Sequence, residues 1–191
     1  MKNYLGLLVL TLMFVSCATS YSEKVVSRMD DMDEKPEWAT QSKVMYSKEG
    51  KIYVLGYCTG PADSRISSLG KIADNNARFE LSRFVKNEMG FIFENTEEGV
   101  RSGAELTFFY GSEFTETVFH GVNVASRYYE KVLTVDEHGD KKVQVEMYTL
   151  LHIKESILNK ALAKAINENN QLNEKLKEKL IERLQKKIET I

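Results

Sequence analysis

The spacing of hydrophobic and polar positions separates strand-like from helix-like segments along the chain. Residues 51–59 are rich in β-branched and aromatic side chains, with Gly50 before them and Gly60-Pro61 after. This composition, bounded by turn-forming residues, predicts a strand in the interior of a sheet. Residues 44–46 could pair with it across residues 47–50.

A second strand pair is predicted further along. Residues 121–135 and 141–153 are strand-like and are joined by the turn sequence Asp136-Glu137-His138-Gly139-Asp140, which predicts a hairpin. Upstream, residues 94–103 contain turn formers and predict a loop. Residues 104–118 fit a short second helix, although part of this segment could also be a strand.

Between these strands the hydrophobic period changes to that of a helix. Asp63 or Ser64 can cap its start, and the helix is expected to end near Gly90. Its apolar face contains small residues, Ala73 and Ala77, which would let the helix axis approach the sheet closely. The residues of this face are Ile66, Leu69, Ala73, Ala77, Leu81 and Phe84. The opposite, polar face is expected to be solvated, with a binding face as the alternative.

Residues 154–191 have no glycine or proline and predict a long, charged C-terminal helix. Its leucines recur every four residues. A stripe with this spacing winds around the helix and does not form the continuous heptad seam of a coiled coil. The helix could fold back on the domain or form an oligomer or partner contact. The Asn-rich residues 167–173 interrupt the stripe as a candidate hinge. Together the elements predict an α+β fold, with a small, mostly antiparallel sheet, a long helix after the first strand and this C-terminal helix.

The N-terminus has the pattern of an export signal. Lys2 precedes an apolar stretch, residues 4–15, that is shorter than the roughly 20 residues of a membrane-spanning helix. The stretch ends at Phe14-Val15-Ser16-Cys17, which resembles the lipobox of bacterial lipoproteins, although Phe14 stands where leucine is usual. The resemblance implies cleavage between Ser16 and Cys17 and lipid on the Cys17 sulfur. An ordinary signal peptide with a chance cysteine is the alternative.

The signal divides the chain into expected regions. Residues 1–16 are the signal peptide, 17–35 a lipidated flexible tether, 36–153 the folded domain and 154–191 the C-terminal helix. The tether ends in an acidic run, and Pro36 and Trp38 open the domain. Ala18 replaces the aspartate that retains some lipoproteins at the inner membrane. This favours the outer membrane as the location.

Charge and cysteine content argue against nucleic-acid binding and against an internal disulfide. The formal net charge is −2, and removing residues 1–16 takes away Lys2 and no acid, so the mature chain would carry −3. This charge offers no basic excess for nucleic acid. Once Cys17 is lipidated, Cys58 is a single thiol inside an apolar strand, where a buried hydrophobic role is expected.

No residue set indicates catalysis, a cofactor or a metal. His120, His138 and His152 lie far apart in sequence and do not form a ligand pattern. Glu97 and Glu98 are adjacent, so their side chains diverge and make a poor acid–base pair. The sequence has no P-loop, dinucleotide fingerprint or nucleophile elbow. The chain is therefore not expected to be an enzyme.

Residues 36–153 resemble the LPP20 family of bacterial lipoproteins. The resemblance rests on Pro36-Glu37-Trp38, on the strand end Tyr53-Val54-Leu55-Gly56-Tyr57, and on the helix segment Ala73-Asp74-Asn75-Asn76-Ala77-Arg78-Phe79-Glu80-Leu81. Leu55, where the family has valine, and the long C-terminal helix depart from its pattern. The resemblance implies an α/β domain on the periplasmic or surface face of the outer membrane. Some relatives are linked to flagellar outer-membrane structures, and others are surface antigens.

The expected function is therefore a structural or protein-interaction role in the cell envelope, in an outer-membrane or flagellum-associated assembly. Its partners would be the membrane, through lipid on Cys17, other envelope proteins, and a second copy of the chain through the C-terminal helix. The alternative function is a periplasmic module that binds a small ligand between the first helix and the sheet.

Overall fold

The computed structural model describes residues 23–40, 43–94, 120–135, 138–168 and 173–188. The signal peptide, the cleavage and lipidation site at Ser16 and Cys17, and the predicted second helix at 104–118 lie outside these ranges. The strands are β1 (Glu23–Arg28), β2 (Met45–Lys48), β3 (Lys51–Pro61), β4 (Asn123–Val135) and β5 (Lys141–Lys154). The helices are α1 (Glu37–Thr40), α2 (Ile66–Glu94), α3 (Glu155–Asn167) and α4 (Glu174–Ile188).

The five strands form one antiparallel sheet in the order β1-β4-β5-β3-β2. The two predicted hairpins are confirmed, since β2 pairs with β3 and β4 pairs with β5. The predicted α+β class, with a helix after the first predicted strand and helix at the C-terminus, is also confirmed. The central strand is β5, which reaches the middle of the sheet from late in the sequence.

Helix α2 packs closely against the inner face of the sheet. Leu69, Ala73, Ala77 and Leu81 are buried, as the spacing of apolar residues predicted. A Cβ atom on Gly56 of β3 would lie 2.0 Å from the backbone oxygen of Ala73 and 2.8 Å from Cβ of Ala77. Only a glycine facing small residues allows backbones to approach this closely. Gly56 therefore sets the distance between helix and sheet.

The central strand β5 is buried on both faces. On its inner face Val145, Met147 and Leu151 contact the helices, whereas Tyr148 and Leu150 are buried on the outer face. Strands of a sheet with one solvated face alternate between apolar and polar residues. The outer face of β5 must therefore be covered by another part of the chain.

That cover is a segment that the sequence analysis assigned to the flexible tether. The prediction of a tether over residues 17–35 is wrong for Glu23 onward, because β1 pairs with the edge of β4 and Lys35 lies on the outer face of the sheet. The acidic run has the composition of a solvated linker, so the order of this segment was not predicted. In the structure its Asp30 and Asp31 form a tight turn with left-handed φ angles of 50° and 52°. We call residues 23–40 the N-terminal arm.

The C-terminal segment is two helices, not the single helix predicted for 154–191. α3 ends at Asn167 and α4 begins at Glu174, and the two described residues between them, Glu168 and Asn173, are not helical. The buried Lys177 of α4 donates to the backbone oxygen of Asn167 at 2.9 Å and to Glu174 at 2.8 Å. A cation at this position stabilises the carboxyl end of α3.

Helix α4 folds back on the domain. Leu180, Leu184 and Ile188 are at most 3 % exposed and join one apolar cluster with residues of α2 and α3. Of the two arrangements considered from the sequence, the structure therefore has the folded-back one. These three side chains are therefore buried by contacts within the chain itself.

Two glycine substitutions test the close helix–sheet contact. We expect Gly56→Ala to lower the free energy of unfolding by about 2–4 kcal/mol, because the added methyl group overlaps the α2 backbone. The matched control is Gly70→Ala in the interior of α2, where the new Cβ meets its nearest atom, Cε of Met147, at 3.4 Å. This control should be neutral or stabilising by up to about 1 kcal/mol. Urea unfolding measures both, and an equal loss in the two variants would contradict the prediction.

Candidate functional site

Two buried glutamates lie opposite each other on the outer face of the sheet. Glu130 of β4 pairs in register with Glu146 of β5, and the two residues are only 3 % and 8 % exposed. A buried carboxylate is costly unless charges or hydrogen-bond donors compensate it. The pair therefore needs partners from elsewhere in the chain.

Lys35 of the N-terminal arm provides the main compensating charge. Its Nζ donates to Oε1 of Glu130 at 2.7 Å and to the hydroxyl of Tyr148 at 2.6 Å, and lies 3.6 Å from Oε2 of Glu146. The same ammonium lies 4.0 Å from the centroid of the Tyr148 ring, a cation–π geometry. One lysine thus bridges both carboxylates.

Arg28, at the end of β1, supplies a second positive charge. Its Nε lies 3.6 Å from Oε2 of Glu130, and its Nη1 donates to the backbone oxygen of Asp33 at 2.6 Å. The second contact turns the chain back over the sheet after β1, which brings Lys35 to the glutamates. Two cations of the arm therefore balance two anions of the sheet.

Three tyrosine hydroxyls complete the hydrogen bonding of the glutamates. Tyr57 donates to Oε1 of Glu146 at 2.9 Å, Tyr148 to its Oε2 at 2.6 Å, and Tyr128 to Oε2 of Glu130 at 3.0 Å. Burial, and to a smaller extent the hydrogen bond to Glu130, raises the pKa of Tyr128 to about 12. Burial and the bonds to Glu146 also raise the pKa of Tyr57 and of Tyr148 above the usual value.

This carboxylate cluster, namely Arg28, Lys35, Tyr57, Tyr128, Glu130, Glu146 and Tyr148, is arranged to hold segments together. Each of the four carboxylate oxygens accepts a hydrogen bond from the chain itself. Apolar residues of the arm pack beside it, where Met29, Trp38 and Ala39 contact Tyr128 and Tyr148. The cluster therefore fastens the N-terminal arm to the sheet.

The sequence analysis missed the cluster, although one signal was present. In a hairpin closed across residues 136–140, Glu130 and Glu146 fall opposite each other, at positions that alternate with apolar residues of the inner face. Two like charges in register indicate that a cation lies nearby. The identity of that cation could not be read from the pattern, because Lys35 is far away in sequence.

The histidines singled out from the sequence are not brought together. His152 lies on β5, where its ring centroid is 5.8 Å from that of Tyr53, and burial together with Lys51 lowers its pKa. His120 precedes β4 and His138 lies in the hairpin turn. Within the ranges that the structure describes, there is no group of three or more His, Cys, Asp or Glu residues suited to a metal ion.

Cys58 is a buried, free thiol, as predicted from its apolar surroundings. Its Sγ donates a hydrogen bond to the backbone oxygen of Leu69 at 3.3 Å. Burial raises the pKa of this thiol, and the higher pKa keeps it protonated and unreactive near neutral pH.

A shallow apolar hollow lies between α2 and the sheet, where the sequence analysis placed a small-ligand site as the alternative function. Its lining includes the apolar residues Val54, Leu81, Val122 and Ile153, together with Arg78 and His152. The hollow leaves no room for a water molecule.

In comparisons with known proteins, no protein-family model, no curated protein and no solved structure matched the chain. The resemblance to the LPP20 family therefore stays a prediction that rests on the three sequence motifs. In the described part of the chain, every helix is too short or too polar to cross a bilayer.

The raised tyrosine pKa values predict a loss of stability at alkaline pH. A folded-state pKa above the unfolded value of about 10 favours the neutral phenol, so this contribution is complete below pH 10 and is lost as pH rises towards 12. For Tyr128, which is fully buried, the loss amounts to about 2–3 kcal/mol.

Urea unfolding at pH 9 and at pH 11.5 measures this loss. Tyr128→Phe should be less stable than the unsubstituted chain at pH 9, because its hydroxyl no longer donates to Glu130. Between pH 9 and pH 11.5 the free energy of unfolding of Tyr128→Phe should fall less steeply than that of the unsubstituted chain. An unchanged slope in Tyr128→Phe would show that this hydroxyl does not resist ionisation in the fold.

Proposed function

We propose that the chain is a lipid-anchored protein of the cell envelope with a structural or protein-interaction role, in an outer-membrane or flagellum-associated assembly. The observation that carries the proposal is the charged and apolar N-terminal segment that ends at Ser16-Cys17. The lipobox resemblance adds a lipid on the Cys17 sulfur. The motif resemblance to the LPP20 family supports the outer-membrane and flagellar context.

Lipid on Cys17 would hold the protein at the membrane by hydrophobic burial. Each methylene group inserted into the bilayer contributes roughly 0.8 kcal/mol, and a single acyl chain gives only reversible binding. A diacylglyceryl group supplies two chains, which is sufficient for stable anchoring. An otherwise water-exposed domain would then remain on the envelope without a spanning helix.

The start of β1 supports a short connection to this anchor. Only five residues, 18–22, separate Cys17 from Glu23, so six Cα–Cα steps connect the two. A chain of this length spans at most about 20 Å when fully extended. In the proposed orientation the edge formed by β1 and β4, where Glu23 pairs with Thr134, would lie close to the bilayer.

An exposed apolar pair on α2 supports a protein-interaction role. Ile72 and Phe79 are seven residues apart, so they lie on the same side of the helix, and they are 47 % and 66 % exposed. Exposed large apolar side chains that share one face mark contact sites more often than isolated ones. We propose this pair as the contact surface for an envelope partner.

Metabolic labelling with a fatty-acid probe tests the anchor. The unsubstituted chain should incorporate label and sediment with membranes, whereas Cys17→Ser should do neither. Cys58→Ser is the matched control, because it removes the other cysteine of the chain and should label normally. Label that persists in Cys17→Ser would overturn the anchor.

Photo-crosslinking in intact cells tests the contact surface. A photoreactive amino acid at position 79 should give one discrete adduct with an envelope protein. The same probe at position 71, an exposed lysine of the same helix, should give little of that adduct. Equal adducts from both positions, or none from position 79, would contradict the proposed surface.

A further inference from the structure

The N-terminal arm lies on a body that has its own hydrophobic core. Two apolar clusters between the sheet and helices α2, α3 and α4 contain residues of β3, β5 and the three helices. Among the described residues, neither cluster includes a residue of the arm. In the arm itself Ala39 is the buried apolar residue, and every position of β1 is either exposed or partly buried. Removing the arm would therefore leave the inner core intact.

The contacts that hold the arm are ion pairs, backbone hydrogen bonds and one small apolar cluster, in which Met29, Trp38 and Ala39 pack on Tyr128 and Tyr148. Lys35 and Arg28 pair with Glu130 and Glu146, and β1 adds backbone hydrogen bonds to one strand, β4, with a register shift between Val25 and Ser27. Polar contacts are replaced by water when a segment opens, so segments held in this way open at lower cost than a core element.

The arm also contains a backbone feature that opening would relieve. Asp30 and Asp31 have φ angles of 50° and 52°, a left-handed conformation that non-glycine residues adopt at a cost. The turn holds this conformation because Arg28 and Lys35 are fixed on either side of it. Once the arm leaves the sheet, both aspartates can return to ordinary backbone angles.

We propose that the arm is a detachable element that sets the distance between the body and its membrane anchor. With the arm docked, the connection between Cys17 and the sheet is residues 17–22. With the arm released, it is residues 17–44, up to the start of β2. Release exposes Glu130 and Glu146 to water, so no charge is left buried and unpaired.

The change in reach is large. A flexible chain of six residues has a root-mean-square length of about 13 Å, and one of 28 residues about 30 Å. Fully extended, the longer connection spans about 95 Å. The released body could therefore contact partners well away from the bilayer, whereas the docked body stays beside it. The change in distance rests on the proposed lipid on Cys17, but the detachment does not.

Hydrogen exchange followed by mass spectrometry tests detachment on the lipid-free Cys17→Ser chain. Amides of β1 should exchange through a local opening whose rate is insensitive to low urea, and at least tenfold faster than amides of β3. Equal protection of β1 and β3, both governed by global unfolding, would overturn the proposal. This measurement needs no further substitution, so it does not depend on a variant that folds.

A charge reversal then tests what holds the arm. Lys35→Glu should speed exchange in residues 23–28 at least tenfold and leave β3 within about threefold of its original rate. Lys48→Glu is the matched control, since it makes the same charge change at an exposed position on the opposite edge strand and should alter neither rate. If Lys35→Glu accelerates β1 and β3 equally, the arm is an integral part of the core and the proposal fails.

Energy transfer on vesicles tests the change in reach. The lipidated chain with Cys58→Ala and Lys142→Cys carries a donor dye near Glu23, and the vesicle surface carries an acceptor lipid. Adding Lys35→Glu should reduce transfer, while adding Lys48→Glu should leave it unchanged. Equal transfer in the two variants would overturn the change in distance. A chain that never binds the vesicles would overturn the lipid anchor instead, and the exchange results would still stand.

Discussion

The two-sided burial of β5 is the constraint on which the rest of the structure depends. A central strand covered on both faces needs two separate covers, and they differ in chemistry because the two faces do. The inner face is aliphatic and takes α2, which fits tightly because Gly56 faces Ala73 and Ala77. The outer face contains tyrosines and the pair Glu130 and Glu146, and it takes a segment that supplies lysine and arginine.

The outer cover explains why a charged N-terminal segment is ordered. Buried ion pairs add little net stability over an apolar contact, because removing the charges from water offsets most of their attraction. Their geometry is nevertheless specific, because Lys35 reaches both carboxylates and a tyrosine hydroxyl at once. Such contacts position a segment accurately and still allow it to separate in water. The arm therefore combines a defined docked position with a modest cost of opening.

Much of the sheet and of α2 could be predicted from the sequence, because each shows its period locally. The stripe from Leu69 to Leu81 and the turn before Lys141 depend only on neighbouring residues. The arm could not be predicted in this way. Its acidic run resembles a solvated linker, and its order depends on Glu130 and Glu146, which lie about a hundred residues away. The candidate site was missed for the same reason, since its cation and its anions come from distant segments.

The position of β5 in the chain has a consequence for how the protein folds. Lys51 of β3 pairs with Lys154 of β5, and Glu155 donates its backbone N–H to the oxygen of Gly50 at 3.0 Å. The first half of the sheet therefore has no central neighbour until residues near 154 have been made. High sequence separation of this kind slows folding, because long loops must close before the contacts form. A polypeptide whose middle strand comes this late cannot complete its sheet until nearly all of the chain has been synthesised.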